Sequence, residues 1–130
     1  MPETDAQSSS LIPIEPANLA RAQAATPDEA VLSGVIAIFR ALADPTRTRI
    51  LYGLASGPMC VRDLAILVGV SESAISHQMR FLREQHLVRP RRRGNVIAYA
   101  LDDHHLSALF REAEYHVDHV RQGIADHPYT

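Results

Sequence analysis

Along most of this chain the apolar residues recur every three to four positions, the spacing of helices with one buried face; in one short stretch they alternate. The first ten residues follow neither period and read as a disordered tail. Helical spacing runs from about Pro16 to Ala25 and from Asp28 to Ala43, where Val31, Val35, Ile36, Phe39 and Leu42 form an apolar face. Asp44-Pro45 starts a third helix, with Asp as N-cap and Pro at the first position. It buries Ile50, Leu51 and Leu54 and stops at Ser56-Gly57-Pro58. A shorter helix from Val61 to Leu67 ends at Gly69, where a tight turn needs a residue free to take positive φ. Ser71 then caps a helix through Glu84 that turns Ala74, Ile75, Met79 and Leu82 inward.

Two short strands follow, Leu87 to Arg89 and Val96 to Leu101, around Arg91-Arg92-Arg93-Gly94-Asn95. Gly94-Asn95 is a hairpin signal, and Ile97, Tyr99 and Leu101 form the expected buried face. Short helix, Gly turn, capped helix and basic hairpin are the order of a winged helix-turn-helix. The expected fold is therefore mainly α: a winged helix-turn-helix with a two-stranded hairpin wing and N- and C-terminal dimerisation helices, one domain over residues 11–125.

The last helix carries the candidate chemistry. Asp103 and His105 open it, and His116 and His119 lie three turns further on, as D-x-H-x10-H-x2-H. Eleven residues at ~1.5 Å rise put His105 and His116 roughly 16 Å apart along the axis. Zinc holds its nitrogen and oxygen ligands at about 2.0–2.2 Å, so one helix cannot close the set around one ion. At ~100° per residue the two histidines nevertheless point almost the same way. Two antiparallel copies solve the problem: Asp103 and His105 of one chain meet His116 and His119 of the other, giving two four-ligand sites per homodimer. Leu106, Leu109, Phe110, Ala113, Val117 and Val120 supply a continuous stripe beside the histidines for the helix–helix seam.

Three imidazoles and a carboxylate suit zinc, with cobalt(II) as a spectroscopic stand-in. Nickel or cobalt(II) with more ligands is the alternative, His104 and His127 being spare donors; His104 is expected to face about 100° away from His105. A repressor without a metal response is the other reading. His116, mid-helix and expected closest to the domain body, is the candidate to carry a signal through its second ring nitrogen.

Composition narrows the classes. A chain of 130 residues with 46% hydrophobic content forms one modest core. It has no apolar run approaching a membrane span, and its start, MPETDAQSSS, lacks the features of a signal peptide. A single cysteine, Cys60, excludes a disulfide framework and a four-cysteine zinc site and fits the cytoplasm. The net charge of −2 hides a basic middle: residues 46–100 carry nine Arg against three acids, while both flanks are −4. One surface built for a polyanion follows.

The second helix of a helix-turn-helix enters the major groove N-terminus first. Here that places Ser71, Ser73, Ser76, His77, Gln78 and Arg80 at double-stranded DNA, with Arg91, Arg92 and Arg93 at the hairpin tip for a phosphate or minor-groove contact. No H-E-x-x-H, Ser-His-Asp order or phosphate loop is present, and four protein ligands leave a metal no open position for water. Neither an enzyme nor a small-molecule substrate is expected.

LADPTRTRIL, CVRDLAILVGVSESAISHQMRFLREQHLV and the hairpin ending YALDDHH resemble the ArsR/SmtB family of bacterial metal-sensing repressors over roughly residues 35–122. The resemblance implies a dimeric winged-helix protein that binds operator DNA when metal-free and releases it on binding metal. The D-x-H-x10-H-x2-H spacing is similar to that of zinc sensors with a C-terminal-helix site, which carries the ligand role to Asp103, His105, His116 and His119. One departure matters. Soft-metal sensors of the family have Cys-Val-Cys where this chain has Cys60-Val61-Arg62, so a thiolate-rich site is not expected and Cys60 reads as a small buried hydrophobe.

Overall fold

The structure, a computed structural model, describes residues 10–123. Their order is α1 (Pro16–Ala25), α2 (Glu29–Leu42), α3 (Pro45–Ala55), β1 (Met59–Cys60), α4 (Val61–Val68), α5 (Glu72–Glu84), β2 (Val88–Arg93), β3 (Val96–Leu101) and α6 (His105–Gln122). The tail expected at 1–10, apart from Ser10, the domain end at 125 and the spare donor His127 lie outside the described residues. The chain divides into two compact units, one ending at Ile36 and the other beginning at Ala37. In the first, α1 buries none of its residues, and the Asp28 carboxylate accepts the Val31 N–H at 3.0 Å to start α2.

In the second unit, the stretch from Asp44 to Thr48 does the most local work. Asp44 accepts the Arg47 backbone N–H at 2.9 Å, capping α3, and Pro45 takes its first position. The Arg47 side chain turns back and donates to the carbonyls of Ala41 at 2.7 Å and Arg40 at 3.3 Å, and the Thr48 hydroxyl donates to that of Leu42. The carbonyls that the end of α2 leaves without helical partners are thereby satisfied from α3. The same guanidinium lies 4.6 Å from the centroid of Phe81 on α5, a cation–π contact.

The core is built from Ile50, Leu51 and Leu54 of α3, Leu64 of α4, Ile75, Met79 and Leu82 of α5, Val88 of β2, and Leu106 and Phe110 of α6. These include the inward residues that periodicity picks out on α3 and, except for the half-buried Ala74, on α5. At Gly53 an added Cβ would meet Leu67 Cδ2 at 2.6 Å and Met59 Sδ at 3.3 Å, so the absence of a side chain lets α3 and α4 approach. Tyr52 stacks on Phe110 with ring centroids 4.5 Å apart and donates its hydroxyl to Glu114 at 2.8 Å, fastening α6 to α3. Burial first, and then Glu114, raises the Tyr52 pKa.

The sheet differs from expectation in three ways. It has three antiparallel strands in the order β1-β3-β2, because Met59 and Cys60 pair with Tyr99 and Ala98. Two residues are too few to show a period. Secondly, Arg91, Arg92 and Arg93 are not at the hairpin tip. They continue β2, opposite Ala98, Ile97 and Val96, and the turn is Gly94-Asn95 alone. Gly94, at φ 62°, permits so tight a connection, while Pro90 is tolerated because β2 is an edge strand. Thirdly, the most buried residues of β3 are Ala98 and Ala100; Tyr99 and Leu101 are half-buried against the core, and Ile97 is 47% exposed.

The apolar face of α2 is also left open within one chain. Only Leu42 packs on the core, whereas Val31, Val35, Ile36 and Phe39 are all exposed. Helical periodicity shows that a face is apolar but not which surface covers it.

His86 has φ 59°, a left-handed conformation that L-residues adopt at a cost of about 1–2 kcal/mol. Replacing His86 by Gly should stabilise the fold by about 0.5–1 kcal/mol after the glycine's own entropy cost, measured by urea unfolding. Tyr52→Phe keeps the stacking and loses the hydrogen bond to Glu114, so the same assay should show a loss of about 0.5–1 kcal/mol.

Candidate metal centre and nucleic-acid interface

Ser71 adopts extended backbone before α5, and its hydroxyl accepts the Ala74 N–H at 3.0 Å. This cap fixes where the helix begins, so the Ser71 side chain serves the fold as well as any ligand. Ile75, Met79 and Leu82 hold one side of α5 in the core. Ser73, Ser76, His77 and Arg80 then fall on the opposite side at helical spacing, and all four are exposed. Gln78 is half-buried at the edge of this face. Gly69 ends α4 at φ 80°, in the left-handed region, and sets the turn that leads into α5. An exposed Arg62–Glu72 pair at 3.7 Å bridges the two helices and contributes little stability by itself.

Side chains alternate along β2, and residues directly opposed on antiparallel strands share a face. Arg92 therefore lies with Ile97, Tyr99 and the core-facing Val88, whereas Arg89, Arg91 and Arg93 lie with Ala100, Ala98 and Val96. Arg89 and Arg91 line a cleft of about 380 Å³ whose other wall includes Asp102, Asp103 and His104. Arg89 is absent from the sequence-derived interface, although its period-two relation to Arg91 could have found it. Cys60 is half-buried, sits at the end of β1 and precedes the first turn of α4; it is not the fully buried hydrophobe expected.

Beyond the wing, α6 begins at His105. Asp103 Oδ1 accepts the His105 backbone N–H at 2.9 Å and lies 3.2 Å from His105 Nδ1. Those bonds hold the Asp103 carboxyl below its ordinary pKa, the backbone N–H first and the His105 and His104 imidazoles after it. Asp103 is thus an ionised carboxylate beside an imidazole at neutral pH, the first half of the ligand set expected from the sequence. His104 is not turned away as expected: its ring centroid is 4.6 Å from that of His105. The 100° rule applies within a helix, and His104 is the N-cap, one residue before it.

The other half lies further along α6. His116 is exposed and His119 half-buried, so His119 rather than His116 is the less accessible of the two. Leu106 and Phe110 bury the first half of the helix, after which Val117 and Val120 are 50% and 67% exposed. Among the described residues no group of three or more His, Cys, Asp or Glu side chains converges on a metal position. The donors form two separated pairs on one rod, and the apolar residues beside the second pair are open.

No helix among the described residues is long and apolar enough to cross a membrane. Residues 44–89 match the model of the arsR family of bacterial regulatory proteins. The chain is 43% identical over 102 residues to the HTH-type transcriptional regulator NmtR of Mycobacterium tuberculosis, covering 78% of this chain and 85% of that one. It is 51% identical over 79 residues to a transcriptional repressor SmtB homolog of Synechocystis, covering 61% and 60%. The solution structure of apo-NmtR superposes with a TM-score of 0.63 at 43% identity, covering 80% of this chain and 88% of that one. The homodimeric winged helix-turn-helix DNA-binding domain of a possible ArsR-family regulator from Mycobacterium bovis gives 0.68 at 26%, covering 79% and 98%. These relatives are transcriptional regulators and not enzymes. With its helix-turn-helix, its wing and this extent of similarity, the chain belongs to the arsR family of bacterial regulatory proteins.

Proposed function

We propose that the protein is a cytoplasmic, homodimeric repressor that binds operator DNA when metal-free and releases it when zinc occupies two sites shared between the subunits. One observation carries the reading: two pairs of potential metal-ligating side chains stand along one helix beside exposed apolar residues, Asp103 with His105 at its start and His116 with His119 three turns on. At ~1.5 Å per residue, eleven residues hold the pairs roughly 16 Å apart, so each is completed by the other pair of a second copy. Val117 and Val120, together with the open face of α2, supply apolar surface for that association.

The donor set fits zinc: three imidazole nitrogens and one carboxylate oxygen make a closed four-coordinate shell. Bound there, the ion would supply a cross-link between two α6 helices. Its consequence reaches α5, because Phe110 and Glu114 fasten α6 to Tyr52 of α3, and the α3 core residues pack with those of α5. Recognition helices of a dimer must meet successive major grooves roughly 34 Å apart, so a small change in the angle between subunits weakens binding. Ser73, Ser76, His77 and Arg80 face the groove, with Ser71 and Gln78 at the margins of that surface. Arg92 and Arg93 of the wing add phosphate contacts, while Arg91 lies nearer its base.

A second reading rests on His104. Its imidazole beside His105 offers an additional donor, which favours an ion of higher coordination number such as nickel or cobalt(II). The cobalt(II) spectrum separates the two, being intense for four ligands and weak for six.

For a double-stranded fragment from upstream of the protein's own gene, fluorescence anisotropy at fixed salt should show zinc weakening wild type by about 5–150-fold. His116→Ala/His119→Ala should hold DNA equally with and without zinc; a zinc response surviving in this variant would contradict the site. Arg92→Ala should weaken binding on all sequences alike and lower the salt slope by about 1, as one lost phosphate contact does.

A further inference from the structure

The arginines of the wing have two destinations. Arg89 and Arg91 project from the face of β2 that lines the 380 Å³ cleft, across from Asp102, Asp103 and His104, while Arg92 lies on the opposite face and Arg93 beyond the cleft near the turn. One wall of this cleft therefore belongs to the element placed against DNA and the other to the first pair of metal ligands. We propose that Arg89 and Arg91 are positioning residues through which an ion at the start of α6 is felt by the wing. The inference rests on the metal reading above and adds to it a route to the DNA-binding surface.

The charges set the direction. Without metal, two guanidinium groups face two carboxylates, Asp102 and Asp103, and their attraction draws β2 toward the start of α6. The attraction acts across space: among the described residues no ion pair within 4.0 Å joins them, and the Asp103 carboxylate is engaged by His105 instead. A divalent ion held by Asp103 and His105 adds two positive charges to the two carboxylates and leaves that margin neutral. Arg89 and Arg91 line the same cleft as the two carboxylates, so they feel the change, weakened by salt over the Debye length of about 8 Å at physiological ionic strength. The attraction is cancelled, the base of β2 is released from the start of α6, and Arg92 and Arg93 on the same strand leave their positions on DNA. Coupling is reciprocal, so the two arginines also oppose uptake of the ion.

The test uses full-length protein, zinc and the same upstream DNA fragment, with Arg89→Gln/Arg91→Gln and the charge-preserving Arg89→Lys/Arg91→Lys. Chelator competition without DNA gives zinc affinity, and anisotropy at low and high salt gives the ratio of DNA affinities without and with zinc. Removing the charges should tighten zinc roughly three- to tenfold and shrink the zinc-induced loss of DNA affinity by about the same factor. The Lys variant should follow wild type, and high salt should erase the difference between wild type and the Gln variant. Zinc affinity and DNA response unchanged in the Gln variant would overturn the proposal. A Lys variant that behaves like the Gln variant would overturn it too, showing that side-chain shape and not charge matters. If no variant, wild type included, competes with the chelator, the metal reading itself fails and this route falls with it; zinc uptake with an unchanged Gln variant removes the route alone.

Discussion

A rigid helix is the constraint on which the functional account turns. The hydrogen-bond ladder of α6 fixes the rise between His105 and His116 whatever their side chains do, and rotamer changes of a few ångströms cannot close roughly 16 Å. Had the pairs been three or four residues apart, a single chain could have held an ion and the binding event would have stayed local. Spread along the helix, each pair is half of the proposed site. In the proposed dimer, filling it is therefore also a change in how two subunits are held. The exposed apolar residues near His116 and His119 belong to the same logic, since an incomplete site and an uncovered stripe are answered by one partner.

For that change to matter, α6 must be joined to the DNA-facing surface by parts that do not yield. Tyr52 ties α6 to α3 through a stacked ring and a hydrogen bond, and Arg47 ties the end of α2 to Phe81 of α5. The core residues of α3, α5 and α6 pack into one cluster. Close-packed interiors transmit displacement because they have little free volume to absorb it. The cleft between β2 and the start of α6 differs from these connections in working through charge, and so salt can silence it.

Much of this was legible in the sequence because the signals were local. Asp44-Pro45, Gly69, Ser71 and Gly94-Asn95 each demand a particular backbone, and each stands where the turn, cap or hairpin occurs. Periodicity picked out the inward residues of α3 and three of the four it assigned on α5, Ala74 being only half-buried. Where the reading failed, the determinant was non-local. The two-residue strand at Met59 exists only through its pairing with β3. The arginine run was placed in the turn because arginine has little strand preference, yet an exposed edge strand accepts it. Helical angles misjudged His104, which precedes the helix, and could not say that His119 would be less exposed than His116. The proposed metal ligands rest on a spacing, and the spacing alone names neither the ion nor the copy that would complete the site.

The central claim is that each metal site takes ligands from two chains, and mixed dimers test it most directly. One copy would carry Asp103→Ala/His105→Ala and the other His116→Ala/His119→Ala. Neither homodimer has an intact shared site, whereas a mixed dimer regains one, built from Asp103 and His105 of one copy and His116 and His119 of the other. Cobalt(II) absorption, titrated into each variant alone and into the two after unfolding and refolding together, reads this out. Tight binding restored only in the mixture, at one ion per mixed dimer, is the predicted result. A mixture that binds no better than its separate components would show that the four side chains do not share an ion across two chains.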